Sequence, residues 1–447
     1  MKTEFENNLK TLGYHDLSQI QQQCIPHIKN GDNIIAQAKT GSGKTLAFTI
    51  AIDQNIDPKI FRIQVLVLTP TRELANQVAQ KIKSYLRFRQ NIKVLTLCGG
   101  LPYKPQVHSL KHLAHIVVGT AGRILKHLEE KNFSCSDINT FILDEADRML
   151  DMGFSEDILK IASYLPHKRQ NLLFSATFPS NIQKLSQMIM EKSVFISVED
   201  QKQLPVIDQK FFKVTEDQKN DLILHCFCKD DKSIIIFVNT KQKCEELADF
   251  LVEKYDCHPL VLHSDYDQKD RDETLVLFEN KSYPVLIATD VASRGLDIDR
   301  VDLVINYDLP YDSEVYVHRI GRSARAGKSG KSISFVDDTT LFDDLCDYLQ
   351  KSFDLYDWQD LATESIQKPT YDFSTLYISG GKKLKLRAGD ILGALTAGVG
   401  LNKNDIGKIA IFDRCSYVAI KNEVYEKALK GLNNTKIKNK DFRVYKR

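Results

Sequence analysis

Short, uninterrupted apolar runs recur along this chain, and several end on a hydroxyl or carboxylate residue. Val65-Leu66-Val67-Leu68 runs into Thr69, Phe141-Ile142-Leu143 into Asp144, and Leu172-Leu173-Phe174 into Ser175. Ile116-Val117-Val118 and the run around Ile34–Ala36 complete the set in the first 200 residues. Runs that are apolar at successive positions suit strands buried on both faces. Their alternation with helical patterns predicts parallel βαβ units. After the polar stretch Glu199-Asp200-Gln201-Lys202-Gln203 the pattern starts again, with Ile234–Val238, Leu260–Leu262, Val285–Ala288, Leu303–Ile305 and Ile333–Val336. Two similar α/β parallel-sheet domains are expected, 1–204 and 205–350. Ligands of open α/β sheets bind at the carboxyl ends of the strands. Thr69, Asp144, Ser175, Asn239, His263, Thr289 and Asn306 fall there.

Residues 351–370 show no clear strand, contain Pro369 and read as a linker. Residues 371–447 then follow the order β-α-β-β-α-β, a small α+β domain. From Lys368 onward the chain carries 17 Lys+Arg against 7 Asp+Glu, whereas the rest carries 44 against 52. A basic module on a mildly acidic body predicts a nucleic-acid-binding tail; an ordinary basic domain is the alternative. No apolar run approaches the ~18 residues of a membrane span, and the start Met1-Lys2-Thr3-Glu4-Phe5 has no apolar signal core, so a cytoplasmic protein with no membrane partner is expected. The nine cysteines are scattered and complete no zinc-binding pattern, which fits free thiols in a reducing compartment.

The motifs carry the chemistry. In Ala38-Lys39-Thr40-Gly41-Ser42-Gly43-Lys44-Thr45, the residues Gly41, Ser42 and Gly43 can turn backbone N–H groups toward phosphate at the start of a helix. Lys44 is placed for the β- and γ-phosphates and the Thr45 hydroxyl for Mg²⁺, so ATP and Mg²⁺ are the expected cofactors. In Asp144-Glu145-Ala146-Asp147, Asp144 is a candidate Mg²⁺ ligand and Glu145 a candidate base for the attacking water. Asp147 can bond the hydroxyls of Ser175 and Thr177. Far downstream, Arg322 and Arg325 are three residues apart, share a helical face and suit charge stabilisation in phosphoryl transfer. A site split in this way makes domain closure depend on ATP.

With these motifs in this order, residues 1–350 resemble the DEAD-box RNA helicases, whose fold is two tandem RecA-like domains. The phosphate loop has the family's own form, with Ala38 in place of glycine. Tyr14 and Gln21 match the adenine-reading segment, and Asp297 a ribose contact. The resemblance implies catalysis by Lys44, Glu145, Arg322 and Arg325, and coupling of the sites through Asp147, Ser175, Thr177 and His318. It implies RNA contacts at Arg72, Gly100, Thr120, Arg123, Asn239 and Thr289. Leu17 and Ala121 stand where the family pattern has proline. Residues 368–447 resemble the RRM-like tail of the DbpA branch, on the runs Thr375–Lys383, Leu386–Leu395, Asp405–Ile409 and Ser416–Val418. That branch is specific for large-subunit ribosomal RNA.

Lys382, Lys383, Lys385 and Arg387 are the tail's candidate phosphate contacts. The aromatic string of ordinary RRMs is missing from Ser416–Ile420, which argues against base stacking on the sheet and leaves Tyr377 and Tyr417 as either stacking or sheet-packing residues. Together these readings predict an ATP-dependent RNA helicase that binds a 23S rRNA hairpin in precursors of the 50S subunit, with no DNA partner. The alternatives are a general RNA helicase, an RNA clamp without rRNA specificity, or a DNA translocase on the same scaffold.

Overall fold

Val65, Leu66, Val67 and Leu68 are all fully buried, yet they do not enter one core. Val65 and Val67 face one side of a sheet and Leu66 and Leu68 the other, as the two-residue repeat of a strand requires. The computed structural model describes residues 2–14, 16–38, 42–198, 207–227, 233–290, 301–323, 330–362 and 368–447. They form two compact units, one of residues up to 203 and one of residues from 204 onward.

The first unit holds strands β1 (Ile34–Gln37), β2 (Val65–Thr69), β3 (Val94–Leu97), β4 (Ile116–Thr120), β5 (Thr140–Asp144), β6 (Gln170–Ser175) and β7 (Val194–Ser197), in the parallel order β3-β4-β2-β5-β6-β1-β7. Helices α1 (Lys2–Thr11), α2 (Gln19–Asn30), α3 (Lys44–Asn55) and α4 (Arg72–Tyr85) cover one face through Leu9, Ile28, Phe48 and Val78. Helices α5 (Tyr103–Leu110), α6 (Ala121–Glu129), α7 (Ala146–Asp151), α8 (Ser155–Tyr164) and α9 (Ser180–Ile189) cover the other through Leu110, Ile124, Met149, Ile158 and Leu185. The edge strands β3 and β7 were not among the apolar runs. An edge strand is covered less completely, and Phe195 of β7 is exposed.

The second unit repeats the plan with β8 (Ile207–Lys213), β9 (Ile234–Phe237), β10 (Leu260–Leu262), β11 (Val285–Ala288), β12 (Leu303–Asn306), β13 (Gly330–Val336) and β14 (Leu355–Asp357), in the parallel order β10-β11-β9-β12-β13-β8-β14. Its helices are α10 (Glu216–Leu222), α11 (Lys241–Tyr255), α12 (Gln268–Glu279), α13 (Ser313–Ile320), α14 (Thr339–Leu349) and α15 (Trp358–Ala362). The expected linker at 351–370 is therefore corrected in its first part. Leu355–Asp357 pairs with Phe211–Lys213 at the sheet edge, and Phe353 packs on Phe211 with ring centroids 4.9 Å apart. A three-residue edge strand that is largely exposed has no apolar run to announce it.

The tail has β15 (Phe373–Ile378), β16 (Ile406–Ile411), β17 (Ser416–Lys421) and β18 (Val444–Lys446) in an antiparallel sheet ordered β16-β17-β15-β18. Helices α16 (Ala388–Gly393) and α17 (Tyr425–Asn434) bury Leu376, Ile378, Val418 and Ile420 on one face. The opposite face is covered in part, over Thr375 and Tyr417, while Tyr445 stays exposed. Thr375 Oγ1 accepts a bond from Asn280 Nδ2 at 3.0 Å and shares one with Ser282 Oγ at 2.6 Å. Arg447 pairs with Glu273 of α12 at 2.7 Å, and Tyr417 is only 2% exposed. Tyr417 is thus a packing residue and not a platform for stacked bases.

Candidate nucleotide and RNA sites

The phosphate loop is held from two sides. Gly43 sits at φ 95° and opens α3; a Cβ there would lie 2.2 Å from Gln21 Nε2, so glycine is required. Lys44 is buried, and its Nζ donates to Ala38 O at 2.7 Å, tying the end of β1 to the start of α3. Ser18 caps α2, with its N–H donating to Gln21 Oε1 at 2.9 Å. From that cap Ser18 Oγ donates to Ser42 O at 2.7 Å, and Gln21 Nε2 to Gly43 O at 3.0 Å. Gln21 therefore buttresses the loop backbone. Tyr14 is exposed, its hydroxyl 3.0 Å from that of Tyr85.

Asp144 ends β5, beside the loop. Burial raises its carboxyl pKa to about 6, against the pull of the Lys44 charge. Glu145 follows in the left-handed region at φ 56°, an unusual backbone for a non-glycine residue, and its Oε2 accepts from Arg148 Nη1 at 2.7 Å with both side chains buried. Asp147 Oδ2 accepts from Ala176 N, Thr177 N and Thr177 Oγ1 at 2.8, 2.9 and 3.2 Å. Burial opposes its charge, but these donors, the Thr177 N–H foremost, and the Lys44 charge hold its pKa low. The Thr177 hydroxyl bonds Asp147 as expected. The Ser175 hydroxyl does not donate to that carboxylate; it accepts from the Asp147 backbone N–H at 3.2 Å.

The arrangement fits a magnesium–nucleotide. Ser42 Oγ is buried with no hydrogen-bond partner among the described residues, the α3 N-terminus offers N–H donors to phosphate, and Asp144 is a buried carboxylate beside Lys44. Thr45 lies on the first turn of α3.

A second cluster forms at the ends of β2 and β4. Arg72 opens α4, whose cap Thr71 accepts from Leu74 N at 3.3 Å. Gly100, at φ 67°, lies against Arg72; a Cβ there would be 2.2 Å from the guanidinium. Thr120 Oγ1 accepts from Gly99 N at 3.2 Å, and Arg123 Nη1 donates to Leu101 O at 3.0 Å. One loop, residues 98–102, thus brings Arg72, Gly100, Thr120 and Arg123 together. The half-buried Arg72 and Arg123 guanidinium groups and the exposed Gly100 backbone suit a phosphate backbone, with the buried Thr120 hydroxyl fixing the loop.

In the second unit, Asn239 N donates to Asp308 Oδ2 at 2.9 Å and Nδ2 to Leu309 O at 2.9 Å. Thr289 is buried just past β11, its N–H donating to Leu262 O at 3.2 Å. The residue that sequence reasoning missed is Arg319. It is buried, and its Nε and Nη2 donate to the two oxygens of Asp290 at 2.6 Å each. It also donates to Asp308 O at 2.6 Å and Asn239 Oδ1 at 2.9 Å. His318 is half-buried on the same helix, and buried Arg322 follows it, its carbonyl accepting from Val301 N at 3.1 Å. Gly41, Asp297 and Arg325 lie outside the described residues.

In the tail, Lys382, Lys383, Lys385 and Arg387 are all exposed on a turn whose backbone is pinned to the β16–β17 connection: Lys382 N donates to Phe412 O at 2.8 Å and Lys383 N to Asp413 O at 2.9 Å. Lys438 Nζ donates to Lys385 O at 2.9 Å, which adds a further cation to this basic end.

Residues 18–185 match the DEAD/DEAH box helicase family, 218–327 the helicase conserved C-terminal domain and 375–446 the DbpA RNA binding domain. The chain is 45% identical to the ATP-dependent RNA helicase DbpA of Escherichia coli, covering 98% of this chain and 96% of that one. It is 36% identical to the DbpA of Bacillus subtilis over the same shares. Among solved structures, S. cerevisiae Dbp5 bound to RNA and ADP BeF3 is similar at a TM-score of 0.70 and 28% identity, over 80% of this chain and 95% of that one. Mss116p bound to ssRNA and AMP-PNP gives a TM-score of 0.70 at 25% identity, over 89% and 82%. The loop, the acidic strand end and the basic tail thus have one common explanation: the chain belongs to the DEAD-box family of ATP-dependent RNA helicases, in the branch marked by the DbpA RNA-binding domain.

Proposed function

We propose that this helicase acts in the cytoplasm on precursors of the 50S subunit, where its tail binds a 23S rRNA hairpin and its core remodels nearby RNA with Mg²⁺-ATP. The observation that carries the reading is the exposed basic turn Lys382–Arg387, on a tail domain whose sheet face is already engaged by Asn280, Ser282 and Glu273. The free end is left to meet phosphates.

At the nucleotide, Lys44 exchanges Ala38 O for the β- and γ-phosphates, and the loop N–H groups orient them. Thr45 and Asp144 would hold Mg²⁺, which would neutralise charge on the phosphate oxygens. Arg148 fixes Glu145 through Oε2, leaving Oε1 to take the proton of the attacking water. Arg322 and Arg325 stabilise charge on the transferring phosphoryl group. Gln21 and Tyr14 read the adenine and Asp297 the ribose. Asp147, Ser175, Thr177 and His318 couple the nucleotide to RNA held by Arg72, Gly100, Thr120, Arg123, Asn239 and Thr289. Tethering by the tail raises the local concentration of target RNA at the core.

The test is the RNA concentration for half-maximal ATPase, comparing a 23S hairpin RNA with a scrambled one. Replacing Lys382, Lys383 and Lys385 with glutamine in the full chain should reduce the hairpin preference severalfold. It should also flatten the salt dependence of binding by roughly two to three in log–log slope, from counterion release. An unchanged preference removes the basic turn from specificity.

A further inference from the structure

One aromatic side chain ties the helix carrying Arg123 to the loop that precedes α5. Tyr103, the first residue of α5, lies across one face of α6. Its ring stacks on His127 with centroids 4.5 Å apart and planes within 16°. The Arg123 guanidinium sits 5.4 Å from the ring centroid and the Lys126 ammonium 4.8 Å. The phenol donates to Glu130 Oε2 at 2.6 Å and accepts from Asn132 Nδ2 at 2.7 Å. Residues 123, 126, 127 and 130 are spaced to share one helical face, so this ring meets the whole face. Bonding of the phenol to a carboxylate increases electron density on the ring and favours the cations beside it.

His127 completes the arrangement. It is fully buried, its Nε2 faces Gln106 Oε1 at 3.5 Å, and its Nδ1 has no hydrogen-bond partner among the described residues. Burial first, then the neighbouring Arg123 charge, lowers its pKa to about 4. A neutral imidazole can support the ring without repelling the two cations next to it. The same guanidinium is held by Leu101 O as well, which accepts from Nη1 at 3.0 Å. A long, rotamer-rich side chain is thereby held in one place before it meets a ligand, which reduces the ordering cost of binding.

We propose that Tyr103 is a positioning residue for RNA, holding Arg123 and Lys126 against its ring so that both are presented to the phosphate backbone. The proposal rests on the reading of Arg123 as an RNA contact. Tyr103 touches neither nucleotide nor RNA in this role.

The experiment measures RNA-stimulated ATPase of the full chain carrying Tyr103→Leu, Tyr103→Phe, Arg123→Gln, or Tyr103→Leu with Arg123→Gln. The leucine variant should raise the half-saturating RNA concentration about three- to tenfold, with kcat and the ATP KM unchanged. The phenylalanine variant keeps the ring face and should stay within about twofold of the parent, which separates the cation contact from the Glu130 bond. In the Arg123→Gln background, Tyr103→Leu should add less than about twofold, because its main partner is gone. Additive effects, or a leucine variant with unchanged RNA half-saturation, overturn the proposal. An Arg123→Gln variant with normal RNA half-saturation overturns the reading of Arg123 instead. Should the leucine variant not fold, Tyr103→Gln carries the same comparison.

Discussion

Replacing Arg319 with lysine should destabilise the second unit by about 3 kcal/mol, a figure that follows from the donors lost. The guanidinium spans Asp290, the Asp308 carbonyl and Asn239 at once, with contacts of 2.6 to 2.9 Å in a buried setting. An ammonium carries three donors at a single point and cannot reach all of these acceptors. At least two lose a charge-assisted bond, at about 1.5–3 kcal/mol each before relaxation. Alanine, which removes all of these donors at once, should cost more, toward about 5 kcal/mol. The chain has one tryptophan, Trp358, and it packs on the core of this unit. Its fluorescence therefore follows unfolding of the second unit alone, which matters because a chain of two units need not unfold in one step. With a urea m-value of about 3 kcal/mol/M, the lysine variant should lower the midpoint by about 1 M. A shift under about 0.2 M would refute the account of Arg319 as the link between these segments. Because Asn239 loses the donor to its Oδ1, the half-saturating RNA concentration should rise in parallel.

Three further outcomes are expected. Glu145→Gln should abolish steady-state ATP turnover while ATP and RNA binding persist; near-normal hydrolysis would remove Glu145 as the base. Arg322→Ala should lower turnover by about 10³-fold with tail binding of RNA intact, and a loss below about tenfold would contradict its role at the transferring phosphoryl group. Asp144→Asn should abolish turnover yet stabilise the metal-free first unit at pH 7 by about 2–3 kcal/mol, because burial holds the carboxyl pKa at about 6, above its unfolded value of 3.8. A raised acid stabilises the fold in its protonated form and loses that contribution as pH rises through about 6, so the gain from asparagine should vanish near pH 4; a gain that is the same at both pH values would refute the burial argument.

The pair of parallel sheets, the order of the tail elements and the placing of the phosphate loop and Asp144 at strand ends were all legible in the residue pattern. Burial on both faces demands apolar residues at successive positions, so each central strand is written as a run, and the residue that ends it lands at the ligand-binding edge. Asp144, Ser175 and Thr289 were legible for that reason. Edge strands escape the rule: β14 has one half-buried and two exposed residues, and its place was decided by pairing with a strand over 140 residues earlier. The roles of Arg319 and Tyr103 were equally hidden. Arg319 reaches acceptors up to 80 residues away, and Tyr103 meets a face of α6 that begins 20 residues downstream, at Arg123. Local periodicity can place such side chains on a helix or at its start, but it cannot say what stands opposite. The sheet face of the tail makes the point most directly. Thr375, Tyr377 and Tyr417 alternate with apolar residues just as an open, solvent-facing sheet would require. That Asn280, Ser282 and Glu273 engage part of that face is visible only in the folded chain, because whether a polar surface meets water or another polar surface depends on groups far away in the chain.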